Sequence, residues 1–167
     1  ADGAFQVTDL YPDEYRLVVS GAAMESGGWW LRSAMLKGRD LLDAPLRLAP
    51  GGDVTGVTLT LSNRRTQLSG TITTTTGAAM TDLFVFAFPA DPALRMAHSR
   101  RILAVRPDSS GRYAFANLPA GDYLICALAD VDDGQWNDPG FFDPLVGASV
   151  KITLTEGEQK VQDLRAR

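Results

Sequence analysis

Acidic side chains crowd one short stretch of the sequence, which contains Asp130, Asp132, Asp133 and Asp138. Calcium takes about six to eight oxygen ligands, and closely spaced aspartates on a loop supply several of them. The spacing is not that of an EF-hand, because Gly134 falls at the wrong place and no glutamate closes the loop. A calcium site and a solvated acidic loop both stay open. A glycosidase-like carboxylate pair would fit the same spacing, but nothing in the sequence marks one carboxylate as buried.

The chain has one histidine, His98, and one cysteine, Cys126. General acid–base chemistry, a nucleophile triad or a transition-metal site normally uses at least one oriented histidine. His98 lies in a polar stretch with Arg95, Arg100 and Arg101. We interpret this stretch as a solvated loop between two strands rather than an anion site, because the basic residues lack interleaved aromatic residues. Cys126 has apolar neighbours typical of a buried core thiol, and a single cysteine excludes an internal disulfide. We therefore expect no enzyme activity, no catalytic residues and no cofactor other than the candidate calcium ion.

Tryptophan supplies the remaining candidate binding residues, Trp29, Trp30 and Trp136. An exposed tryptophan on the rim of a β-sandwich can stack on a sugar ring, but tryptophan is also a core filler and an interface anchor. The Trp29–Trp30 pair and Trp136 fall at comparable places in the two copies of an internal repeat. We favour a core or interface role over sugar binding.

The length and net charge of the chain limit the classes of protein to which it can belong. The 167 residues fit one large β-sandwich or two small ones. A net charge of −4 without a basic stripe argues against nucleic acid as a partner. No apolar run has the length of a membrane span, and the sequence begins at Ala1 without the pattern of a signal peptide. A secreted protein would already have lost that signal, or the chain would be part of a longer one.

Short apolar runs with alternating polar residues dominate the sequence and indicate an all-β sandwich. Stretches rich in glycine, proline, aspartate and serine separate the runs, as turns require. The predicted strands lie around residues 68–72, 83–88, 102–105, 113–115, 123–127, 150–154 and 161–164. Their alternation predicts that Lys151 and Thr153 point outward and that six residues are largely buried: Phe84, Phe86, Phe115, Leu118, Tyr123 and Ile125. Helix is nearly absent from the prediction: residues 141–146 could form one short turn at most.

The chain contains an internal repeat. Residues 3–17 align with residues 111–125 at a constant offset, which places Phe5 with Tyr113 and Tyr15 with Tyr123. Further on, residues 46–61 resemble residues 150–164, and each reads as a strand, a glycine turn and a strand.

The two copies are not equivalent in what precedes them. Residues 66–108 supply three strands before the second copy, whereas nothing comparable stands before the first. We therefore predict two domains, a partial sandwich module at residues 1–63 and a complete one at residues 64–167.

The most specific phrase in the second copy runs Gly111-Arg-Tyr-Ala-Phe115, then Leu118-Pro-Ala-Gly-Asp-Tyr123. With Leu68-Ser-Gly-Thr-Ile72 and the aromatic strand after it, this phrase resembles the carboxypeptidase regulatory-like domains, a transthyretin-like (prealbumin-like) β-sandwich class of bacterial secreted and surface proteins. The resemblance covers residues 68–164 fully and residues 3–61 in part. The first copy departs from the pattern at residues 11–14, where the turn lacks its glycine.

The resemblance implies tandem transthyretin-like (Ig-like) modules, the first truncated, in a secreted or cell-surface, extracytoplasmic protein. It carries no catalytic residues and implies a structural, adhesive or accessory role. We predict a non-enzymatic structural or protein-interaction module, and the alternative is a carbohydrate-binding accessory module. The expected partners are other protein chains, further modules of a longer protein or a glycan, with no nucleic acid and no membrane span.

A half-sandwich at the first copy would leave an apolar face and strand edges open. Its predicted core residues are Phe5, Val7, Tyr15, Leu17, Val57, Leu59 and Leu61. Three completions stay open: the chain is a piece of a longer protein, the first copy folds onto the second as one sandwich, or another chain adds a strand. Head-to-tail addition between chains does not close on itself and would build a filament.

Overall fold

A computed structural model describes residues 3–25 and 28–165. The strands are β1 Glu14–Tyr15, β2 Trp30–Leu36, β3 Arg39–Asp40, β4 Leu46–Arg47, β5 Thr58–Ser62, β6 Gln67–Thr73, β7 Phe84–Pro89, β8 Leu103–Val105, β9 Arg112–Ala116, β10 Gly121–Leu128, β11 Val150–Leu154, β12 Gln159–Val161 and β13 Leu164–Arg165. The helices are α1 Ala22–Glu25 and three 3₁₀ helices, Pro92–Leu94, Gln135–Asn137 and Pro139–Ala148. None of these helices has both the length and the hydropathy that a membrane crossing requires. The prediction of an all-β protein is confirmed.

The second half of the chain forms a sandwich of two sheets. One sheet is antiparallel, with strand order β8-β7-β10-β11. The other is built on β6, which pairs antiparallel with β9 and parallel with β12 and β13. The chain therefore brings its last described strands back to the first strand of the sandwich.

A core of apolar side chains fills the space between the two sheets. Its buried members are Leu68, Ile72, Leu83, Val85, Ala87, Tyr113, Phe115, Leu118, Tyr123, Ile125, Ile152, Leu154 and Leu164. The predicted anchors Phe115, Tyr123 and Ile125 all lie in it, and Lys151 and Thr153 are exposed, as the alternation on β11 predicted. The register predicted for this module is confirmed.

A second apolar cluster covers the outer face of the β7–β10 sheet. Phe84, Phe86 and Phe88 point into it, away from the inter-sheet core, and Phe142 stacks on Phe88 with ring centroids 4.4 Å apart. The cover is the 3₁₀ helix Pro139–Ala148, which is longer than the single turn predicted from the sequence. Phe141 and Phe142 of this helix pack against Phe86 on β7. That tertiary packing stabilises a helix that local propensity does not predict. β7 is therefore buried on both faces.

Residues 3–62 form smaller sheets beside the sandwich. β2 pairs antiparallel with β3 and with β5, and β1 pairs antiparallel with β4. Ala34 and Leu41 are buried, but Phe5, Val7 and Leu61, which the sequence predicted as core residues, are exposed. Residues 3–13 carry no strand. No closed sandwich core forms among residues 3–25 and 28–62.

Candidate interaction surfaces

The aspartates predicted to bind calcium all lie on the surface. Asp138 has a structural role, because its carboxylate accepts the amide hydrogen of Gly140 at 2.9 Å and caps the helix Pro139–Ala148. In the described part of the chain, no group of three or more histidine, cysteine, aspartate or glutamate side chains is arranged to hold a metal ion. Calcium binding by Asp130, Asp132, Asp133 and Asp138 stays a prediction.

The tryptophans lie in different environments. Trp136 packs in the outer cluster, with ring centroids 5.3 Å from Phe84 and 5.6 Å from Phe86. Trp30 lies on β2, and its indole N–H donates to the carbonyl oxygen of Arg64 at 3.1 Å, while Trp29 is exposed. The prediction that the two copies place tryptophan comparably is wrong, because one site is a strand and the other a 3₁₀ helix.

The residues with nucleophile or proton-transfer chemistry are separated. Cys126 is buried in the outer cluster, and burial raises the pKa of its thiol to about 11, although a hydrogen bond with Ser149 acts in the opposite direction. His98 is exposed, and its backbone carbonyl accepts a hydrogen bond from Arg16 at 3.4 Å. The prediction of a core thiol is confirmed.

The three arginines near His98 are not solvated, so that interpretation of the loop is wrong. Arg95 is buried: it donates to the carbonyl oxygens of Pro89 and Ala90, both at 2.9 Å, and its guanidinium lies over the ring of Phe88. These contacts fix the end of β7 to the following loop. The carbonyl and ring partners come from the fold and explain why a charged side chain is buried.

Arg100 and Arg101 join the sandwich to residues 30–62 through two aspartates, and we call this group of four side chains the arginine junction. Arg101 donates two hydrogen bonds to the carboxylate of Asp43, from Nε to Oδ1 at 2.9 Å and from Nη2 to Oδ2 at 2.8 Å. Arg100 reaches Asp43 at 2.8 Å and Asp40 at 3.0 Å. Forked contacts of this kind fix orientation as well as distance.

Neighbouring groups hold the arginine junction in place. Asp40 accepts the amide hydrogens of Ala34 and Leu42, each at 3.0 Å, so its second oxygen is aimed at Arg100. Arg101 also donates to the Tyr123 hydroxyl at 3.3 Å. The junction therefore connects the β2–β3 hairpin with the β10 end of the sandwich core.

Burial and ion pairing act in opposite directions on Asp43. Burial alone would raise the pKa of its carboxyl, but hydrogen bonds from Arg101 and Arg100 outweigh burial and hold that pKa below its ordinary value. Asp43 is thus charged in the folded protein near neutral pH. Nothing in the sequence indicates this role for Asp43, because the paired groups are more than fifty residues apart along the chain.

The two copies of the repeat share a tyrosine hydrogen bond. Tyr15 donates to the carbonyl oxygen of Tyr11 at 2.8 Å, and Tyr123 donates to that of Pro119 at 2.7 Å. Each donor lies four residues after its acceptor. The first copy forms this bond without the glycine of the second copy's turn, at Gly121.

Strand pairing after these tyrosines is also shared. β1 pairs with β4 so that Tyr15 faces Leu46, and β10 pairs with β11 so that Tyr123 faces Ile152. The preceding residue carries an acid in both copies, and each acid pairs with a basic side chain on the facing strand: Glu14 with Arg47 and Asp122 with Lys151. The two ladders share this placement of tyrosine and charge, although β1 and β4 pair over two residues and β10 and β11 over five.

The two copies differ in how deeply two aligned apolar side chains near the start of the repeat are buried. Tyr113 and Phe115 on β9 are 3% and 1% exposed, because β6 and the opposite sheet pack on them. Their counterparts Phe5 and Val7 are 50% and 61% exposed. Leu10, Tyr11 and Val18 extend this surface, and we call residues 5–18 the open segment.

The known proteins that resemble this chain are found among solved structures. No protein-family model matches it, and no curated protein matches it. Among solved structures, it is similar to the streptococcal ancillary pilin, with 14% identity, a TM-score of 0.41, and coverage of 82% of this chain and 39% of that one. It is also similar to the TIE protein of Bacillus anthracis, with 14% identity, a TM-score of 0.40, and coverage of 72% and 20%.

A third similar structure is the major pilin subunit of Bacillus cereus, with 13% identity, a TM-score of 0.40, and coverage of 66% of this chain and 33% of that one. The chain thus spans well under half the length of each of these three proteins. Because all three TM-scores are below 0.5, the architecture described above rests on the strand pairing of this chain alone.

Proposed function

We propose that the chain is a non-enzymatic structural module of an extracytoplasmic protein and makes protein–protein contacts through the open segment. The observation that carries the proposal is the exposure of Phe5 and Val7 at positions whose counterparts in the second copy are core residues. Contiguous exposed apolar side chains mark interaction sites. The partner is another protein chain or another module of a longer protein.

The rest of the structure supports a mechanical role for the segment. The Tyr15 hydrogen bond and the β1–β4 ladder hold one end of the open segment, and Arg16 donates to the carbonyl oxygens of Ala97 and His98 on the sandwich. The arginine junction then ties the hairpin after it to the sandwich. A partner bound to the open segment is thereby coupled to the sandwich core, as a module that transmits force or mediates adhesion requires.

Strand addition is the mode of contact that this surface favours. Residues 5–8 carry alternating apolar side chains in a segment without an assigned strand, and an added strand would cover both backbone and side chains. Where the partner is a further copy of the chain, head-to-tail contact does not close and builds a filament.

Sedimentation velocity over a range of concentrations tests the proposal. In the isolated chain the open segment has only other copies to contact, so we expect association that grows with concentration. The double variant Phe5→Ser/Val7→Ser should sediment as a monomer. Val161→Ser is the matched control, since Val161 is 70% exposed on β12 and should not alter association.

Two results would contradict the proposal. One is a wild-type chain that neither associates at any concentration nor binds an added peptide with the sequence of residues 67–73. The other is association that the double variant leaves unchanged, because contact would then occur elsewhere. Circular dichroism of both variants should match the wild type, since all three side chains lie outside the buried core.

Carbohydrate binding is the second candidate, and one observation favours it. Trp30 lines an open cleft of about 420 Å³ together with polar side chains that include Ser33, Thr60 and Arg100. An aromatic ring beside a few hydrogen-bonding groups is the usual composition of a small-molecule site, and an exposed tryptophan can stack on a sugar ring. Tryptophan fluorescence titrated with oligosaccharides tests this: a change that Trp30→Phe abolishes supports it, and no change with any glycan excludes it.

A further inference from the structure

The second copy shows which strand covers the side chains that correspond to the open segment. β6 lies antiparallel to β9, with Leu68 opposite Phe115 and Gly70 opposite Tyr113. In the first copy, the positions of Phe115 and Tyr113 are taken by Val7 and Phe5. A partner strand can therefore be specified residue by residue.

We propose that the open segment binds a β-strand of the pattern Leu-x-Gly-x-Ile, antiparallel to residues 5–8, with its leucine opposite Val7 and its glycine opposite Phe5. This inference rests on the proposed function and names the kind of partner. The chemistry of each position follows from β6 itself.

The leucine and isoleucine supply core contacts. Leu68 and Ile72 are fully buried between the two sheets of the sandwich, on the face where Phe115 and Tyr113 lie. The pleat of a strand places alternate residues on one face, so a partner with this pattern would direct both apolar side chains against Phe5 and Val7. A shift by one residue would turn them outward.

The glycine of β6 lies where neighbouring groups leave no room for a side chain. A Cβ atom at Gly70 would collide with the backbone carbonyl of Gln162 and would lie 3.0 Å from the hydroxyl oxygen of Tyr113. Phe5 takes the place of Tyr113 in the first copy and lacks that hydroxyl. The glycine of the pattern is therefore carried over from β6, and the leucine and isoleucine carry the specificity.

The strand must come from a module other than the sandwich described above. β6 of a second copy already has β9 on one side and β12 and β13 on the other, so it has no edge to offer. We infer that the partner is an unpaired Leu-x-Gly-x-Ile strand in another module, of the same polypeptide or of a different one.

A fused strand tests the inference without the need to know the natural partner. The sequence of residues 67–73 is attached ahead of Ala1 through a short Gly/Ser linker, which suits an antiparallel hairpin with residues 5–8. The control fusion has the same composition, with the leucine exchanged with its neighbouring serine and the isoleucine with its neighbouring threonine. Tethering raises the effective concentration to about the millimolar range, so weak affinity does not hide binding.

Amide hydrogen exchange of residues 5–8 is the measurement. We expect the fused β6 sequence to slow exchange by about tenfold or more, and the control fusion to leave it within about twofold of the unfused chain. Equal protection by the two fusions, or none by either, overturns the inference. If protection is absent while the unfused chain still associates through Phe5 and Val7, the inference fails and the proposed function stands.

Discussion

The hydroxyl of Tyr123 donates to the carbonyl oxygen of Pro119, and Tyr15 makes the same bond to Tyr11 at the equivalent place in the repeat. Two sequences that share few residues between these points thus form one corner geometry. The bond in the second copy is buried and is joined by Arg101, whereas the bond in the first copy is exposed. The same interaction should therefore differ in energetic weight.

We expect Tyr123→Phe to lower the free energy of unfolding by about 1–3 kcal/mol, because the carbonyl of Pro119 loses its hydroxyl donor in a buried setting. Tyr15→Phe should cost less than about 1 kcal/mol, since water replaces the lost partner. Urea denaturation of the two variants measures both values. An equal or reversed order would show that the two corners are not energetically distinct in this way.

Removing a buried aromatic ring should cost much more stability in the sandwich than removing an exposed ring in the open segment. Phe115→Ala and Phe86→Ala should each lower the free energy of unfolding by about 3–5 kcal/mol, because each leaves a cavity in a different apolar cluster. Phe5→Ala is the control and should cost little, since half of that side chain is already exposed. A large loss at Phe5 in the monomer would mean that the open segment is packed in solution.

The arginine junction should make stability depend on pH. The pKa of Asp43 is lower in the folded protein than its ordinary value of 3.8, so its ion pairs contribute stability above that value and lose it as the pH falls through the folded-state pKa. Asp43→Asn should cost about 1.5–3 kcal/mol at pH 7 and much less in acid. Urea denaturation at both pH values measures the difference.

Glu14→Gln is the matched control for that experiment. Glu14 pairs with Arg47 at 3.1 Å, but the Arg47 side chain is 86% exposed. An exposed pair of this kind is worth at most about 1 kcal/mol, so the variant should show little pH-dependent change. If Asp43→Asn behaves like Glu14→Gln, the junction does not hold the two parts of the chain together.

Thiol labelling tests the burial of Cys126. The thiolate is the reactive form, and burial raises the pKa of this thiol to about 11, so a disulfide reagent at pH 8 should modify the native protein slowly. Labelling should become fast once urea unfolds the chain. Rapid modification of the native protein would show that the cover formed by the 3₁₀ helix Pro139–Ala148 opens readily.

Strand positions in the sandwich could be predicted from the sequence because period-two alternation is local. Phe115, Tyr123 and Ile125 fell in the core as expected, and the continuous apolar run of β7 matched a strand buried on both faces. What covers the outer face of that strand could not be predicted, because the 3₁₀ helix Pro139–Ala148 depends on tertiary packing.

The contacts of the arginine junction could not be predicted from the sequence, for a related reason. Arg100 and Asp43 are far apart in sequence, and each reads locally as a solvated surface charge. Only the approach of the β2–β3 hairpin to the sandwich pairs them. The pairing of β2 with β5 was missed because the sequence marks neither strand as the other's neighbour.

The return of β12 and β13 to β6 has a consequence for biosynthesis. β6 spans Gln67–Thr73, and its parallel partners lie at Gln159–Val161 and Leu164–Arg165, so the ribosome delivers them long after β6 has emerged. Until then one edge of β6 lacks its native neighbours, and pairing over such a sequence distance is slow. The nascent chain consequently passes through a period in which this edge is open to other polypeptides.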